Sequence, residues 1–389
     1  MSGRRRIRVG VLFGGRSGEH EISLRSALTV IAAIDRRRYE VVPIGISRDG
    51  RWYLETDALR TLGAAAPRLA ALKSSGTPIS LLPYPDQHTL VTTAANGRPA
   101  SARAAAARSI LRGKLDVIFP VLHGSFGEDG TVQGLLELAG IPYVSAGVLG
   151  SAIGMDKDVQ KRLLRDAGLP VVRYLAVRDI DYRDDPAAIR RRAARLGWPL
   201  FVKPNALGSS IGVSRVTSAR ALARALEEAL RYDRKALIEA ACEGRELECA
   251  VLGNERPAAS MVGEIVVRGG HRFYSYESKY VDQQGAAIEI PAHLPARAVK
   301  RLRELAVAAF VTLELRGMAR VDFLARPDLR EIYISEVNTI PGFTAISMYP
   351  KLWEASGLPL GKLIDRLIAL ALEDQRARRR LKFTYQPQP

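Results

Sequence analysis

Residues 115–130 read L-D-V-I-F-P-V-L-H-G-S-F-G-E-D-G, an apolar run followed by a glycine-rich polar turn. The apolar run has the length of a buried β-strand, residues 131–138 predict a helix, and residues 141–144 predict another short strand. Strand, helix and strand in alternation are typical of a parallel sheet, whose active face lies at the carboxyl ends of its strands. The turn, which begins with His123, therefore lies where substrates are expected.

The chain on the amino-terminal side of this stretch repeats the alternation. Residues 7–15 predict a strand that ends in glycines, residues 21–34 have helical apolar spacing, and residues 40–47 predict a second strand. Residues 58–114 are rich in Ala, Arg, Ser and Pro and have weak periodicity, so we expect an insertion with one or two small helices. Residues 1–147 together predict an N-terminal α/β substrate domain.

The carboxyl-terminal side predicts two more α/β domains. In residues 148–241, helices alternate with strands around the sequence F-V-K-P at 201–204, which indicates a central domain. Residues 242–389 contain several strands, a helix at about 295–315 and a late hairpin, and they indicate a C-terminal domain. The length of 389 residues also exceeds one compact core, so a division into several domains is expected.

The composition argues against several classes of protein. The net charge is +17, but the arginines form short dispersed clusters and the aromatic residues, at 6%, do not interleave with them, so we do not expect nucleic-acid binding. A solvated basic surface that attracts anionic substrates is the simpler interpretation. The two cysteines, Cys242 and Cys249, favour a reducing cytosol over a disulfide scaffold. No stretch reaches the length of a membrane span, so we expect a cytoplasmic protein.

The last two predicted strands, joined by the turn sequence R-P-D-L-R, carry a candidate metal site. Period two places Arg320 and Asp322 on one face of the first strand, and Glu336 and Asn338 on one face of the second. A short hairpin loop puts Asp322 opposite Glu336, about 5 Å away. Two carboxylates that close repel each other unless a cation lies between them, and oxygen ligands suit Mg²⁺ or Mn²⁺. A solvated hairpin with ion pairs to Arg320 is the alternative.

Lysine and glycine residues in the central region indicate phosphate binding. No P-loop occurs, but F-V-K-P-N-A-L-G-S-S-I-G-V at 201–213 joins Lys203 to a loop in which Ser209 and Ser210 offer backbone N–H groups and hydroxyls. Lys157 lies at the start of a predicted helix, where N–H groups favour anions. An ordinary hairpin turn is the alternative for the glycine-serine loop.

Two acidic residues are candidates for contacts with a nucleotide. Glu239 ends an apolar strand, and Glu246 follows it seven residues later. Carboxylates at these positions could accept hydrogen bonds from the amino group and the ribose hydroxyls of a nucleotide. A solvated acid is the alternative for each.

Seven motifs, taken together, resemble those of the D-alanine–D-alanine ligase family, in that family's order and over nearly the whole chain. They are G-G-R-S-G-E-H-E-I-S-L, H-G-S-F-G-E-D-G-T-V-Q-G, G-M-D-K, F-V-K-P followed by G-S-S-I-G-V, E-S-K-Y, M-A-R-V-D-F and E-V-N-T-I-P-G-F. The resemblance implies the ATP-grasp fold, with ATP between the second and third domains. It also implies ATP-dependent joining of two D-alanines through an acyl phosphate, for peptidoglycan precursors, by a homodimer.

The resemblance also implies which residues bind the metal ions and ATP. The ligands of two Mg²⁺ (or Mn²⁺) ions would be Asp322, Glu336 and Asn338. The residues that contact ATP would be Lys157, Lys203, Ser209, Ser210, Glu239, Glu246 and Lys279.

A second set of residues is implied for the amino-acid substrates. Glu19 resembles the acid that holds the ammonium of the first D-alanine, with Ser209 and Tyr280 as its hydrogen-bonding partners. Arg320 and the Gly342 N–H group resemble the oxyanion hole of the family. The second substrate's carboxylate would be bound at Ser347 and Met348, where methionine replaces a frequent leucine.

A related ligase that uses D-lactate or D-serine as its second substrate is the nearest alternative. Ligases of this family that accept D-lactate often lack the tyrosine found here as Tyr280, so the resemblance favours D-alanine. A non-catalytic nucleotide-binding protein would have lost Arg320 or a metal ligand, and none is missing. Of the five histidines, only His123 is expected near substrate, where it would position Glu19 or the first D-alanine.

Overall fold

The computed structural model of the chain describes residues 5–55, 76–85, 88–92, 113–267 and 286–382. Most of the predicted insertion, and the candidate site residues Lys279 and Tyr280, lie outside these ranges. Within them, the fold is mixed α/β and is built on three sheets. No helix in the described part of the chain is both long and apolar enough to cross a membrane.

The N-terminal sheet has the strand order β5-β4-β3-β2-β1-β6. Its strands are β1 (Ile7–Gly14), β2 (Tyr39–Ile46), β3 (Trp52–Leu54), β4 (Thr77–Leu81), β5 (Leu90–Thr92) and β6 (Val117–Pro120), and its helices are α1 (His20–Ala33) and α2 (Thr131–Leu138). The predicted parallel pairing is confirmed for β1 with β2 and β6, whereas β3, β4 and β5 extend the sheet in antiparallel fashion.

The predicted strand at 141–144 is wrong in its extent. Tyr143 makes a single parallel bridge to Ile118, supported by two backbone hydrogen bonds of 2.8 and 2.9 Å. The pairing ends there because Ser145, two residues after Tyr143, has a φ of 126° and turns the chain away from the sheet.

The central sheet is antiparallel, with the strand order β7-β10-β8-β9. Its strands are β7 (Tyr174–Arg178), β8 (Leu200–Pro204), β9 (Ser214–Val216) and β10 (Lys235–Ala240). The helices of this region are α3 (Val148–Met155), α4 (Lys157–Asp166), α5 (Asp179–Asp184), α6 (Pro186–Ala194) and α7 (Ala219–Ala229).

The C-terminal sheet is also antiparallel, with the order β13-β12-β11-β14-β15. Its strands are β11 (Arg245–Gly253), β12 (Ala258–Val267), β13 (Ala286–Glu289), β14 (Gly317–Ala325) and β15 (Ile332–Asn338). Its helices are α8 (Ala296–Thr312), α9 (Met348–Ala355) and α10 (Leu360–Arg378).

Side-chain caps fix where three of the central helices begin. Asp156 caps α4 by accepting a hydrogen bond from the Val159 N–H group at 2.9 Å. Asp185 caps α6 in the same way, and Pro186 occupies the first turn, where the missing N–H group has no cost. Ser218 caps α7. The α4 cap matters for the site because it sets the position of Lys157, the first residue of that helix.

One hydrophobic core joins the two ends of the chain. Val11 and Phe13 of β1 pack in the same buried cluster as Met318 of β14 and as Leu363 and Leu367 of α10. The predicted boundaries at residues 147 and 241 stay a prediction. Each sheet lies within one of the three predicted ranges, while this core crosses between the first and the third.

Helix α4 covers the outer edge of β15, the last strand of the C-terminal sheet. Gln160 accepts a hydrogen bond from the Val337 N–H group at 3.0 Å and donates to the Val337 carbonyl at 3.2 Å. Lys161 Nζ donates to the Ser335 carbonyl at 2.9 Å. An edge strand leaves such backbone groups unpaired, so α4 both satisfies them and holds β15 in place.

Candidate active site

A cavity of about 560 Å³ opens between the central and C-terminal sheets. Its walls come from β8, β10, β11, β14, β15 and the glycine-serine loop. Eight of the predicted site residues line it: Lys157, Lys203, Ser209, Ser210, Glu239, Glu246, Asp322 and Glu336. The volume is that of a site for a small molecule such as a nucleotide.

The β14–β15 hairpin has the predicted register. Asp322 pairs with Glu336 and Arg320 with Asn338, although a bulge follows Asp322, so that Phe323 pairs with Ile334. Arg320 donates from Nε and Nη2 to the two oxygens of Asp322, both at 2.7 Å. The four side chains that were predicted to share one face therefore lie together.

Glu248 of β11 joins this group and was missed by the sequence reasoning. It pairs with Asp322 across β11 and β14, and its Oε2 lies 2.8 Å from Arg320 Nε. Burial acts to lower the pKa of Arg320, but the carboxylates of Asp322 and Glu248 outweigh it and raise that pKa. Alternation along β11 places Glu248 on the same face as Glu246, which is the signal that could have identified it.

The residues predicted to hold metal ions fit a hard cation by their chemistry. Asp322 and Glu336 line the cavity, and the Asn338 amide lies 3.0 Å from Asp322 Oδ2. Carboxylate and amide oxygens suit Mg²⁺ or Mn²⁺. Each carboxylate also contacts a positively charged side chain. Arg320 contacts Asp322, and Lys157 Nζ lies 3.4 Å from Glu336 Oε2. The described residues contain no group of three His, Cys, Asp or Glu suited to a metal, and the predicted set includes the amide of Asn338.

Two lysines face the cavity from different elements. Lys157 Nζ donates to the Leu207 carbonyl at 2.8 Å and so ties the start of α4 to the glycine-serine loop. Lys203 Nζ lies 2.9 Å from Glu239 Oε2 on the neighbouring strand β10. Burial raises the pKa of Glu239, but Lys161 and Lys203 outweigh it and lower that pKa, so the carboxylate is charged.

The glycine-serine loop reaches the N-terminal part of the chain. Ser209 Oγ donates a hydrogen bond to Glu19 Oε1, a contact between two residues that were predicted to act together. Ser209 and Ser210 have φ angles of 53° and 57°, a left-handed conformation that is uncommon for serine. Gly208 approaches Glu19 so closely that a Cβ atom there would lie 3.0 Å from Oε2. A larger residue would push the carboxylate away.

The turn after β15, which carries Gly342, is held by residues from the N-terminal part of the chain. Glu128 accepts hydrogen bonds from the Ile340 N–H group at 3.2 Å and from the Gly124 N–H group at 2.6 Å. His123 Nδ1 lies 3.1 Å from the Ile340 carbonyl oxygen, and its Nε2 lies 3.1 Å from Ser26 Oγ. Burial lowers the pKa of His123, which favours the neutral ring. His123 thus contacts the turn, and its contacts suit a positioning role.

Glu128 and Ser26 are further residues that the sequence reasoning did not single out. Burial, reinforced by the charge of Glu19, raises the pKa of Glu128 to about 8. Ser26 Oγ accepts a hydrogen bond from the Phe343 N–H group at 3.2 Å, which fixes the far end of the same turn. The position of Glu128 inside the glycine-rich turn was the available signal for it.

Ser347 and Met348 lie beside this turn. Ser347 Oγ accepts a hydrogen bond from the Thr344 N–H group at 3.0 Å, and a Cβ atom on Gly342 would lie 2.7 Å from it. The Met348 side chain is buried in the shared core, so only its backbone is available to a substrate. The cavity wall does not include Gly342, Ser347 or Met348, whereas Glu19 reaches it through Ser209.

Two family models match the chain. One, described as "D-ala D-ala ligase N-terminus", covers residues 8–146, and the other, "D-ala D-ala ligase C-terminus", covers residues 163–369. The chain is 50% identical to D-alanine–D-alanine ligase A of Chromobacterium violaceum over 372 residues, which is 95% of this chain and 96% of the relative. It is 45% identical to D-alanine–D-alanine ligase A of Escherichia coli K12 over 379 residues, or 97% and 99% of the two chains.

Solved structures give the same result. The D-alanine-D-alanine ligase from Coxiella burnetii superposes with a TM-score of 0.80 at 36% identity and covers 97% of both chains. The VanG D-Ala:D-Ser ligase from Enterococcus faecalis superposes with a TM-score of 0.79 at 35% identity and covers 94% of this chain and 100% of its own. The chain therefore belongs to the D-alanine–D-alanine ligase family and has its ATP-grasp fold.

Proposed function

We propose that this chain joins two D-alanines into D-alanyl-D-alanine, with conversion of ATP to ADP and phosphate, for peptidoglycan precursors. The observation that supports this most directly is the cavity. It brings the cationic pair Lys157 and Lys203 to the carboxylates Asp322 and Glu336, beside the Glu19–Ser209 contact. The names of the relatives in Chromobacterium violaceum and Escherichia coli agree with it.

In the first step, the carboxylate of one D-alanine attacks the γ-phosphorus of ATP, and the bond from that phosphorus to the leaving ADP oxygen breaks. Both reactants are anions, so Lys157, Lys203 and Lys279 lower the repulsion between them. Asp322, Glu336 and Asn338 would hold two Mg²⁺ or Mn²⁺ ions, which supply the remaining positive charge. Glu19, fixed by Ser209, binds the ammonium group of this D-alanine and sets its orientation.

In the second step, the neutral amine of the other D-alanine attacks the carbonyl carbon of the acyl phosphate. The carbonyl oxygen gains negative charge; as the carbonyl re-forms, the bond to the phosphate oxygen breaks, and the proton lost by the attacking nitrogen leaves with the phosphate. We assign the oxyanion role to Arg320 and the Gly342 N–H group. The contacts of Glu128 and His123 with Ile340, which hold the turn that carries Gly342, support this assignment. Ser347 and the backbone of Met348 bind the carboxylate of the attacking D-alanine.

ATP-binding roles follow for the remaining residues. Ser209 and Ser210 contact the phosphates through their backbone N–H groups and hydroxyls. Glu239 and Glu246 accept hydrogen bonds from the amino group and the ribose of the nucleotide. We assign Tyr280, which lies outside the described residues, to the network of Glu19 and Ser209, where it favours D-alanine as the second substrate.

The reaction itself is tested by phosphate release from ATP in the presence of D-alanine, with and without Mg²⁺, together with the mass of the product. The proposal expects phosphate release that requires both D-alanine and the metal, and a product with the mass of D-alanyl-D-alanine. Competition with D-lactate and D-serine separates the related ligases. A mixed product that exceeds D-alanyl-D-alanine at equal concentrations would overturn the assignment of the second substrate.

We also propose that the enzyme acts in the cytoplasm as a homodimer. The resemblance to the family supports both assignments. Light scattering coupled to size-exclusion chromatography would give about twice the chain mass of 42.5 kDa for a dimer. A mass equal to one chain at micromolar concentration would contradict the dimer.

A further inference from the structure

Lys161 lies behind the wall of the cavity and contacts two of its residues. Its side chain is fully buried, at 0% exposure, and its Nζ lies 3.1 Å from Glu239 Oε1. The same Nζ donates a hydrogen bond to the Ser335 carbonyl at 2.9 Å. A buried ammonium is costly unless it is paired and hydrogen-bonded, so this geometry needs both partners.

The Glu239 carboxylate is shared between two lysines. Lys161 approaches Oε1, and Lys203 approaches Oε2 at 2.9 Å. The two lysines differ in position, because Lys203 lines the cavity with 12% of its side chain exposed, whereas Lys161 has no exposure. Only Lys203 can therefore turn toward an anionic ligand.

A phosphate group in the cavity would compete with Glu239 for Lys203. If Lys203 turns to phosphate, Glu239 loses one of its two counter-charges in a buried place. A buried carboxylate without a counter-charge is strongly unfavourable. Lys161 remains in contact, because it has no path to the ligand, and it keeps Glu239 charged and in place.

Lys161 also connects β10, which carries Glu239, to β15, which carries Glu336. It belongs to α4, its ion pair lies on β10, and its hydrogen bond reaches Ser335, the neighbour of Glu336 on β15. One ammonium group thus fixes the distance between the central sheet and the strand that carries Glu336.

We propose that Lys161 is a positioning residue of the ATP site: it contacts no substrate, but it holds Glu239 and the Glu336 strand in place so that Lys203 is free to bind phosphate. This inference rests on the proposed function, since it requires ATP in the cavity. It predicts that loss of the Lys161 charge weakens ATP binding and leaves D-alanine binding nearly unchanged.

The test compares Lys161→Met, Glu239→Gln and the double variant with the wild-type chain. Arg165→Met is the matched control, because Arg165 lies on the same helix and is exposed. Calorimetry with Mg²⁺ and a non-hydrolysable ATP analogue gives the Kd without any need for D-alanine. Steady-state kinetics give kcat and the KM values for ATP and D-alanine.

We expect Lys161→Met to raise the Kd of the analogue and the KM for ATP by about tenfold or more, with the KM for D-alanine within about twofold of wild type. In the Glu239→Gln background, Lys161→Met should raise the Kd of the analogue by less than about threefold, because the partner charge is already absent. Arg165→Met should behave as wild type.

Two outcomes would overturn the proposal. One is a Kd of the analogue that is unchanged in Lys161→Met, and the other is an equal increase in this Kd whether or not Glu239→Gln is present. If Lys161→Met fails to fold, the double variant is compared with Glu239→Gln alone, because the buried pair is neutral in the double variant. Equal Kd values of the analogue in these two variants support the proposal. A tenfold difference between them refutes it. A wild-type chain that binds the analogue but makes no D-alanyl-D-alanine would contradict the proposed function and leave this comparison intact.

Discussion

Arg320 lies between the carboxylates of Asp322 and Glu248, and this position keeps its guanidinium charged and directed toward the hairpin. Replacement of Arg320 by Ala removes the donor that we propose for the second step, so we expect kcat to fall by about 10²–10³. Arg320→Lys keeps the charge but loses the fork of two N–H groups. Its kcat should therefore lie between that of wild type and that of Arg320→Ala. The measurement is kcat under saturating ATP and D-alanine.

The control for this prediction is Arg330→Ala, which removes an exposed arginine from the hairpin turn. It should leave kcat unchanged. Circular dichroism would establish that each variant is folded. A kcat near that of wild type in folded Arg320→Ala would contradict the oxyanion role.

The two cysteines should differ in their reactivity with iodoacetamide. Burial raises the pKa of Cys249 to about 12, and its side chain is fully buried, so it should not react in the folded protein. Cys242 lines the cavity, and burial raises its pKa above the ordinary value as well. Because the thiolate is the reactive form, labelling of Cys242 should be slow at pH 7 and rise about tenfold per pH unit up to its pKa.

The position of Cys242 adds a second expectation, which is protection by ATP. Intact-mass spectrometry after timed labelling should show one adduct, and a non-hydrolysable ATP analogue with Mg²⁺ should slow its formation. Cys242→Ala removes the adduct and serves as the control. Two adducts at equal rates in the folded protein would contradict the burial of Cys249.

At the level of elements, the hairpin was predictable and its neighbours were not. Period-two alternation and a short turn are local features, and they were enough to place Asp322 opposite Glu336. Glu248 enters the same group only through the pairing of β11 with β14, which brings together residues 74 positions apart. The contact of Lys203 with Glu239 depends on the pairing of β8 with β10. Pairings across such separations have no local signal in one sequence.

Helix α4 supplies the clearest test of how an element supports the site. Gln160 is fully buried and bonds both backbone groups of Val337, between the candidate ligands Glu336 and Asn338. Gln160→Met keeps the size of the side chain but leaves those groups unpaired, so we expect a loss of about 1–3 kcal/mol in the free energy of unfolding. Displacement of Glu336 and Asn338 should also lower kcat by roughly tenfold.

Urea unfolding and steady-state kinetics measure these two effects. Asp166→Ala, an exposed change on the same helix, is the control and should alter neither quantity. If Gln160→Met retained the stability and kcat of wild type, the edge contact would have no role in holding β15.

On the scale of the whole molecule, the active site depends on contacts between the first and last parts of the chain. The turn with Gly342 is fixed by Glu128 and His123, and β1 shares its core with α10. The sequence predicted separate domains from the alternation of elements, but it carries no pattern that reveals a core shared by residues more than 300 positions apart. Movement of the N-terminal part would therefore change the position of the turn with Gly342 as well as the contact of Glu19 with Ser209.

A network centred on Arg316 holds these two parts together at the surface of the shared core. Arg316 Nη2 donates to Tyr143 Oη at 3.0 Å, and Nη1 lies 3.0 Å from Asp374 Oδ2 of α10. Arg316 is 18% exposed, whereas Arg326 pairs with Glu331 in a local turn at 50% exposure. We expect Arg316→Met to lower the free energy of unfolding by about 1–3 kcal/mol, because it leaves the partly buried carboxylates of Glu137 and Asp374 with Arg378 as their remaining arginine. Arg326→Met should cost less than about 1 kcal/mol.

Urea unfolding at low and high salt measures the loss in the free energy of unfolding for Arg316→Met and for Arg326→Met. The difference between wild type and Arg316→Met should persist at 1 M salt, since partly buried pairs are screened less than exposed ones. Arg316 Nη2 also lies 3.5 Å from Glu137 Oε1, so the network joins α2 to α10. Arg316→Met should therefore raise the KM for D-alanine, because Glu19, which we propose as its binding residue, lies on the N-terminal part. Equal stability losses in Arg316→Met and Arg326→Met would mean that the shared core alone holds the two parts of the chain together.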